Sequence, residues 1–119
     1  MNPDVWGPHA WYFIQSALVH MPDDADPSNY VNFLFILQYV LPCESCRESY
    51  SDWIRKNPIP TKKMEMIQWI TDLQNSIRVE KGKSTRTVEQ VIEHYTKNKN
   101  NIIIFLALCV LGIFFLRMK

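Results

Sequence analysis

Helix start and stop signals recur about every fifteen residues along this chain, and that rhythm constrains its fold more than any other feature. Asp26 followed by Pro27 reads as an N-cap with proline at the first helical position, where its missing N–H is no loss. Pro42 breaks the chain again, Asn57-Pro58-Ile59-Pro60 stops the next segment, and Thr61 is placed to cap another. Lys81-Gly82-Lys83 then supplies a terminal glycine flanked by cations. Apolar/polar alternation bounded by Asn-Gly or Asp-Gly turns is missing, so strands find no support. The expected class is all-α.

Apolar residues fall at helical spacing inside these segments. A first helix is expected after Pro8, with Trp11, Ile14, Leu18 and Met21 on one face, and a second from Pro27 to Val40 with a broad apolar face of Tyr30, Phe33, Leu34, Leu37 and Val40. A third runs from Cys43 to Lys56, and a fourth, opened by Thr61, lines up Met66, Trp69, Leu73 and Ile77. A capping box at Thr87 and Gln90 opens a short fifth helix with Val88, Val91, Ile92 and Tyr95 inward. Helices of this number and length predict a four-helix bundle with a short fifth helix.

From Ile102 to Leu116 the chain carries no charge and no polar face, which predicts a C-terminal apolar tail helix rather than an amphipathic one. Such a run covers roughly 22 Å at about 1.5 Å per residue, against a hydrocarbon core of about 30 Å. Crossing a bilayer would therefore need Asn100 and Asn101, snorkelling Lys99 and Arg117, or local thinning. A buried core helix is the alternative. The expected organisation is a domain over 1–96, a basic linker over 97–101, a membrane anchor over 102–116 and a basic flank over 117–119. The formal charge of +1 hides an asymmetry, since Met1 to Thr96 holds nine Lys/Arg against twelve Asp/Glu. A weakly acidic domain lacks the footprint of a nucleic-acid binder. The opening Met-Asn-Pro-Asp-Val-Trp shows no basic segment leading into an apolar stretch, so no secretory signal is expected and the domain is placed in the cytosol. Cations on both sides of the tail leave the positive-inside rule undecided.

Leu41-Pro42-Cys43-Glu44-Ser45-Cys46 puts two thiols on one face of a helix start, with Cβ atoms about 5–6 Å apart, close enough to join after a small adjustment. The positive end of the helix favours a thiolate there. Three cysteines in a chain without a secretory signal argue against a structural disulfide framework. Half of a zinc site is one rival, but the remaining ligand candidates, His9, His20, His94 and Cys109, lack paired spacing. A thioredoxin-like exchanger is another, although the βαβ pattern around its C-x-x-C is missing. An idle pair of core cysteines is the third.

Trp6-Gly7-Pro8-His9-Ala10-Trp11, then Pro42-Cys43 through Cys46, then Asn57-Pro58, then Trp69 with Gln74-Asn75-Ser76-Ile77 and Lys83 follow one another in a definite order. In that order and spacing the chain resembles the Erv/ALR family of FAD-linked sulfhydryl oxidases, from about Trp6 to Tyr95, and is most similar to compact members encoded by large DNA viruses. The resemblance implies a helical bundle enclosing FAD, with Cys43 and Cys46 as the catalytic pair and no metal. It further implies Gly7, Trp11, Gln15, Gln74, Asn75, Arg78, Lys83 and Tyr95 as FAD-binding residues. Three departures stand out. Gln15 and Gln74 replace histidines, keeping hydrogen bonding but losing charge. Arg78 replaces an asparagine and is suited to the FAD pyrophosphate. No cysteine lies outside the pair except Cys109, so a distal shuttle disulfide is absent.

The implied activity is disulfide formation in a thiol-containing protein partner, a small redox carrier among the candidates, with O2 as acceptor and H2O2 as product. Cys43 is implied to exchange with substrate and Cys46 to face the flavin. A twofold homodimer is also implied, and a viral source would place it in host cytoplasm or virion. The runner-up is a non-enzymatic membrane-anchored adaptor whose cysteines form half of an intermolecular zinc clasp.

Overall fold

The computed structural model describes residues 1–117, with side-chain surroundings described except at 98–105 and 113–116. It contains α1 (Pro3–Val19), α2 (Pro27–Val40), α3 (Glu44–Lys56), α4 (Lys63–Glu80) and α5 (Val88–Arg117), and no strand among the described residues. Local capping explains most of these bounds. Asp26 accepts from the Ser28 N–H at 3.0 Å and Pro27 takes the first position, so α2 spans the expected residues. α4 ends in a Schellman motif, with Gly82 at φ 70° and the Lys83 N–H donating to the Arg78 carbonyl at 2.8 Å. The Thr87 capping box closes in both directions, Gln90 N to Thr87 Oγ1 at 3.1 Å and Thr87 N to Gln90 Oε1 at 2.9 Å.

Four bounds differ from the sequence-based expectations. α1 starts at Pro3, before Pro8, because Asn2 accepts from the Asp4 N–H at 3.0 Å and Pro3 fills the first helical position; Pro8 sits inside and forfeits a ladder bond. Cys43 is the N-cap of α3 rather than its first residue. Lys62, not Thr61, precedes α4, and its side chain makes no cap bond; instead Lys63 Nζ donates to the Met21 carbonyl at 2.8 Å, tying the helix start to the α1–α2 loop. Finally, the short fifth helix is the opening of a 30-residue α5, because Lys97-Asn98-Lys99-Asn100-Asn101 offers neither glycine nor proline to stop it. The anchor expected over 102–116 lies in large part outside the residues whose side chains are described. Among the described residues no helix is long and apolar enough to cross a membrane.

Packing divides the helices into two groups. α1 packs on α4 and α5, and α2 packs on α3. The first group supplies most of the core, including Leu18, Met66, Ile67, Ile70 and Val91, whereas α2 and α3 each bury a single large side chain, Leu34 and Tyr50. Aromatic edges join the groups: Tyr50 meets Trp69 at 6.1 Å, Trp53 meets Trp69 at 6.3 Å, and Phe13 meets Phe33 at 6.0 Å. The Tyr50 hydroxyl donates to the Leu34 carbonyl, and Trp69 Nε1 donates to the Asn57 carbonyl at 2.7 Å. The middle of α3 is thereby tied to α2, and the Asn-Pro turn at its end to α4.

Candidate functional site

Cys43 adopts an extended conformation, φ −154° and ψ 123°, immediately after Pro42, and its Sγ takes the place that a serine or aspartate oxygen takes at an ordinary N-cap. The Cys46 N–H donates to that sulfur at 3.3 Å, and the Ser45 hydroxyl lies 3.2 Å from it. The turn is clamped from outside. Arg47 Nη1 donates to the Leu41 carbonyl at 2.6 Å while the Arg47 N–H donates to the Cys43 carbonyl at 3.0 Å. Both thiols are half-buried and unjoined, and Cys109 is exposed.

This geometry divides the two thiols electrostatically. Cys43 is lowered to about 7, chiefly by the Cys46 side chain, then by the Ser45 hydroxyl and the Cys46 N–H. Cys46 is raised, first by burial and then by its hydrogen bond to Cys43 and the charge there. In the reduced pair these opposite shifts favour the charge at Cys43 and the proton at Cys46. Once Cys43 is joined to another sulfur, two of the causes that raise Cys46 disappear, while the positive helix end remains.

The residues singled out on α1, α4 and α5 fall into two sets. Gln15, Gln74 and Tyr95 form a buried chain: the Tyr95 hydroxyl donates to Gln15 Oε1 at 2.7 Å, and Gln15 Nε2 donates to Gln74 Oε1 at 2.7 Å. Burial raises the Tyr95 hydroxyl further above its ordinary range, keeping it a donor. Asn75 and Arg78 secure the segment that follows α4. Asn75 exchanges two bonds with the Arg86 backbone, at 2.7 and 2.8 Å, and Arg78 Nε donates to the Ser84 carbonyl at 2.6 Å, leaving the terminal guanidinium nitrogens for a ligand. Lys83 is exposed beside it. On α1, Gly7 and Trp11 precede Gln15 at successive intervals of four, so the three share a face.

Two observations bear on whether these residues fit a flavin nucleotide. The indole N–H groups of Trp6 and Trp53 are buried with no partner in the protein, although a buried donor ordinarily has one. Gly7 lies inside α1, where glycine costs about 0.5–1 kcal/mol relative to alanine, yet a Cβ there would meet nothing within 4 Å. The open space beside Gly7 admits close approach by a bound group, whereas the two indole N–H groups are closed off by the protein itself and have no explanation in this structure. Aromatic faces, amide donors and the cations Arg78 and Lys83 match the ring, base and pyrophosphate of FAD.

Sequence reasoning missed the contacts of Ser45 and Arg47. Ser45 is two positions beyond an N-cap, a place from which a hydroxyl reaches back to the cap; Arg47 stands one turn after Cys43. A cavity of about 520 Å³ between α2 and α3, lined by Gln38, Tyr39, Arg47, Glu48, Ser51, Asp52 and Arg55, includes neither cysteine nor any of the residues expected to hold FAD. Among the described residues, no group of three or more His, Cys, Asp or Glu gathers as a metal site.

The sequence model of the Erv1 / Alr family matches residues 8–97. A probable FAD-linked sulfhydryl oxidase of Acanthamoeba polyphaga mimivirus is 29% identical over 104 residues, covering 82% of this chain and 73% of that protein. Among solved structures, a double cysteine-to-serine mutant of Erv1 from Saccharomyces cerevisiae superposes with a TM-score of 0.72 at 17% identity, over 82% of this chain and 86% of that one. The yeast Erv1 core gives 0.70 at 19% identity, over 80% and 84%.

Proposed function

The chain belongs to the Erv1 / Alr family, it is an FAD-linked thiol oxidase, and from that premise we propose that it makes disulfides in a separate thiol-containing protein through Cys43 and Cys46. The observation that carries this reading is the Cys43 sulfur at the mouth of α3, accepting from the Cys46 N–H and beside the Ser45 hydroxyl. A substrate thiolate attacks Cys43 in the Cys43–Cys46 disulfide; the new bond joins substrate to Cys43, and Cys46 leaves with the electron pair. A second substrate thiolate then attacks the substrate sulfur, and Cys43 leaves as a thiolate. Substrate is oxidised by two electrons and the pair is reduced by two. The chemistry that FAD supplies when bound is acceptance of those electrons from the dithiol and their delivery to O2 as H2O2.

Gly7, Trp11, Gln15, Gln74, Asn75, Arg78, Lys83 and Tyr95 are the residues proposed to hold FAD. The buried chain fixes the Gln74 amide, and Arg78 with Lys83 offers charge to the pyrophosphate. The zinc-clasp adaptor is not favoured, because family membership supports an oxidase rather than an adaptor.

The proposal extends to association and location. Val5, Tyr12 and Phe13 on α1 and Phe35, Ile36, Tyr39 and Val40 on α2 are exposed apolar side chains, a surface suited to a second copy of the chain. Residues 102–116 are proposed as a membrane anchor that leaves the oxidase domain in the cytosol; the exposure of Leu106, Leu108, Val110 and Leu111 supports this. Purified protein should be yellow with about one FAD per chain and should consume O2 with dithiothreitol, and a chain ended at Thr96 should keep both properties without partitioning to membranes. Colourless protein inert toward dithiothreitol would overturn the oxidase reading.

A further inference from the structure

The Cys43 sulfur has two donors within reach, and only one of them is backbone. The Cys46 N–H belongs to any helix that starts with a capping cysteine, but the hydroxyl depends on serine standing at position 45. Ser45 is exposed, packs against nothing in the core, and its hydroxyl lies 3.2 Å from Cys43 Sγ. A donor so placed has little value while Cys43 is part of a disulfide and its full value when that sulfur carries charge, since hydrogen bonds to an ionised acceptor are roughly twice as strong as neutral ones. We propose that Ser45 is a positioning residue for thiol exchange, its hydroxyl holding the charge of Cys43 as that sulfur leaves the mixed disulfide. This rests on the exchange sequence given above.

Two consequences follow from stabilising one reduced sulfur. Product release accelerates, because the bond between substrate and Cys43 breaks toward a better leaving group. The Cys43–Cys46 disulfide also becomes a stronger oxidant, because the reduced form is favoured over the oxidised one. The pair accepts two electrons from the substrate dithiol in either case, so Ser45 changes the equilibrium and the rate without changing the stoichiometry. The direction of the Cys43 shift agrees, with Ser45 among its causes.

The test uses the full-length FAD-loaded protein, reduced without oxygen, and compares Ser45→Ala and Ser45→Thr with the parent. Iodoacetamide alkylation of Cys43, followed by peptide mass across pH 5–9, reports its acidity. Equilibration with a glutathione redox series reports the potential of the pair. Ser45→Ala should slow alkylation below pH 7 about three- to tenfold, the change given by a thiol pKa higher by about half to one. It should also require a more reducing glutathione ratio by a similar factor, while Ser45→Thr, which keeps the hydroxyl, restores both values. Coincident curves for Ser45→Ala and parent would overturn the proposal, as would Ser45→Thr behaving like Ser45→Ala. A parent protein that shows the Ser45 effect but consumes no O2 with thiols would remove the oxidase reading and leave this inference standing.

Discussion

The start of α3 and the junction of α1, α4 and α5 both carry polar groups that the chain could not do without, but they hold them in opposite ways. At α3 the thiols are half-buried, and every contact that shapes Cys43 comes from residues 41–47. At the junction, Gln15, Gln74 and Tyr95 are buried and joined across 59 and 80 residues of sequence. The first arrangement tunes reactivity with little stake in stability. The second is stability first, because each unmet buried group costs about 1–3 kcal/mol.

Substitutions can break that contrast, the largest effect coming from the thiols. Cys43→Ser or Cys46→Ser should each bring dithiothreitol-dependent O2 consumption to background, since no intramolecular disulfide forms without both sulfurs. At the junction, Gln15→Leu strands the Tyr95 hydroxyl and Gln74 Oε1 together, and should lower the stability of the cofactor-free protein by about 1–3 kcal/mol, seen as an earlier urea midpoint at unchanged slope. Reactivity should follow the acidity of Cys43: with its pKa lowered to about 7, alkylation in the reduced protein should be about tenfold slower at pH 6 than at pH 8. The sign is that of a depressed acid, reactive above its pKa and about tenfold less so for each pH unit well below it. Thr87→Ala, which removes one arm of the capping box, should cost about 1 kcal/mol. The smallest effect sharpens the comparison most. Cys43→Ser keeps an N-cap acceptor, so it should change stability by no more than about 0.5 kcal/mol while abolishing turnover.

The same contrast governs what the sequence reveals. α2 was legible to its ends because Asp26 and Pro27 act within their own turn, and the Thr87–Gln90 box and Gly82 were legible for the same reason. The inward residues of α4 were also readable from periodicity, Met66, Trp69 and Leu73 all being buried. Where two local signals compete, the reading slipped: Asn2-Pro3 opens α1 although Pro8 offered a second start. Val40 carries the apolar pattern of α2 yet is exposed, because periodicity gives a face but not the neighbour that covers it. The cysteine pair and its place at the start of a helix, being local, were visible in six residues. The Gln15–Gln74–Tyr95 chain could be reached only through resemblance, and even that gave the positions without their bonds to one another.

The central claim is that Cys43, held as the cap of α3, is the sulfur that exchanges with substrate while Cys46 stays behind it. Intact mass after exposing each single-cysteine-to-serine variant to oxidised glutathione at neutral pH tests this directly, because a thiolate that attacks the disulfide keeps one glutathione and releases the other. Cys46→Ser should gain one glutathione at Cys43, and Cys43→Ser should stay unmodified at Cys46. A glutathione on Cys46 in Cys43→Ser, with Cys43 unmodified in Cys46→Ser, would contradict the account.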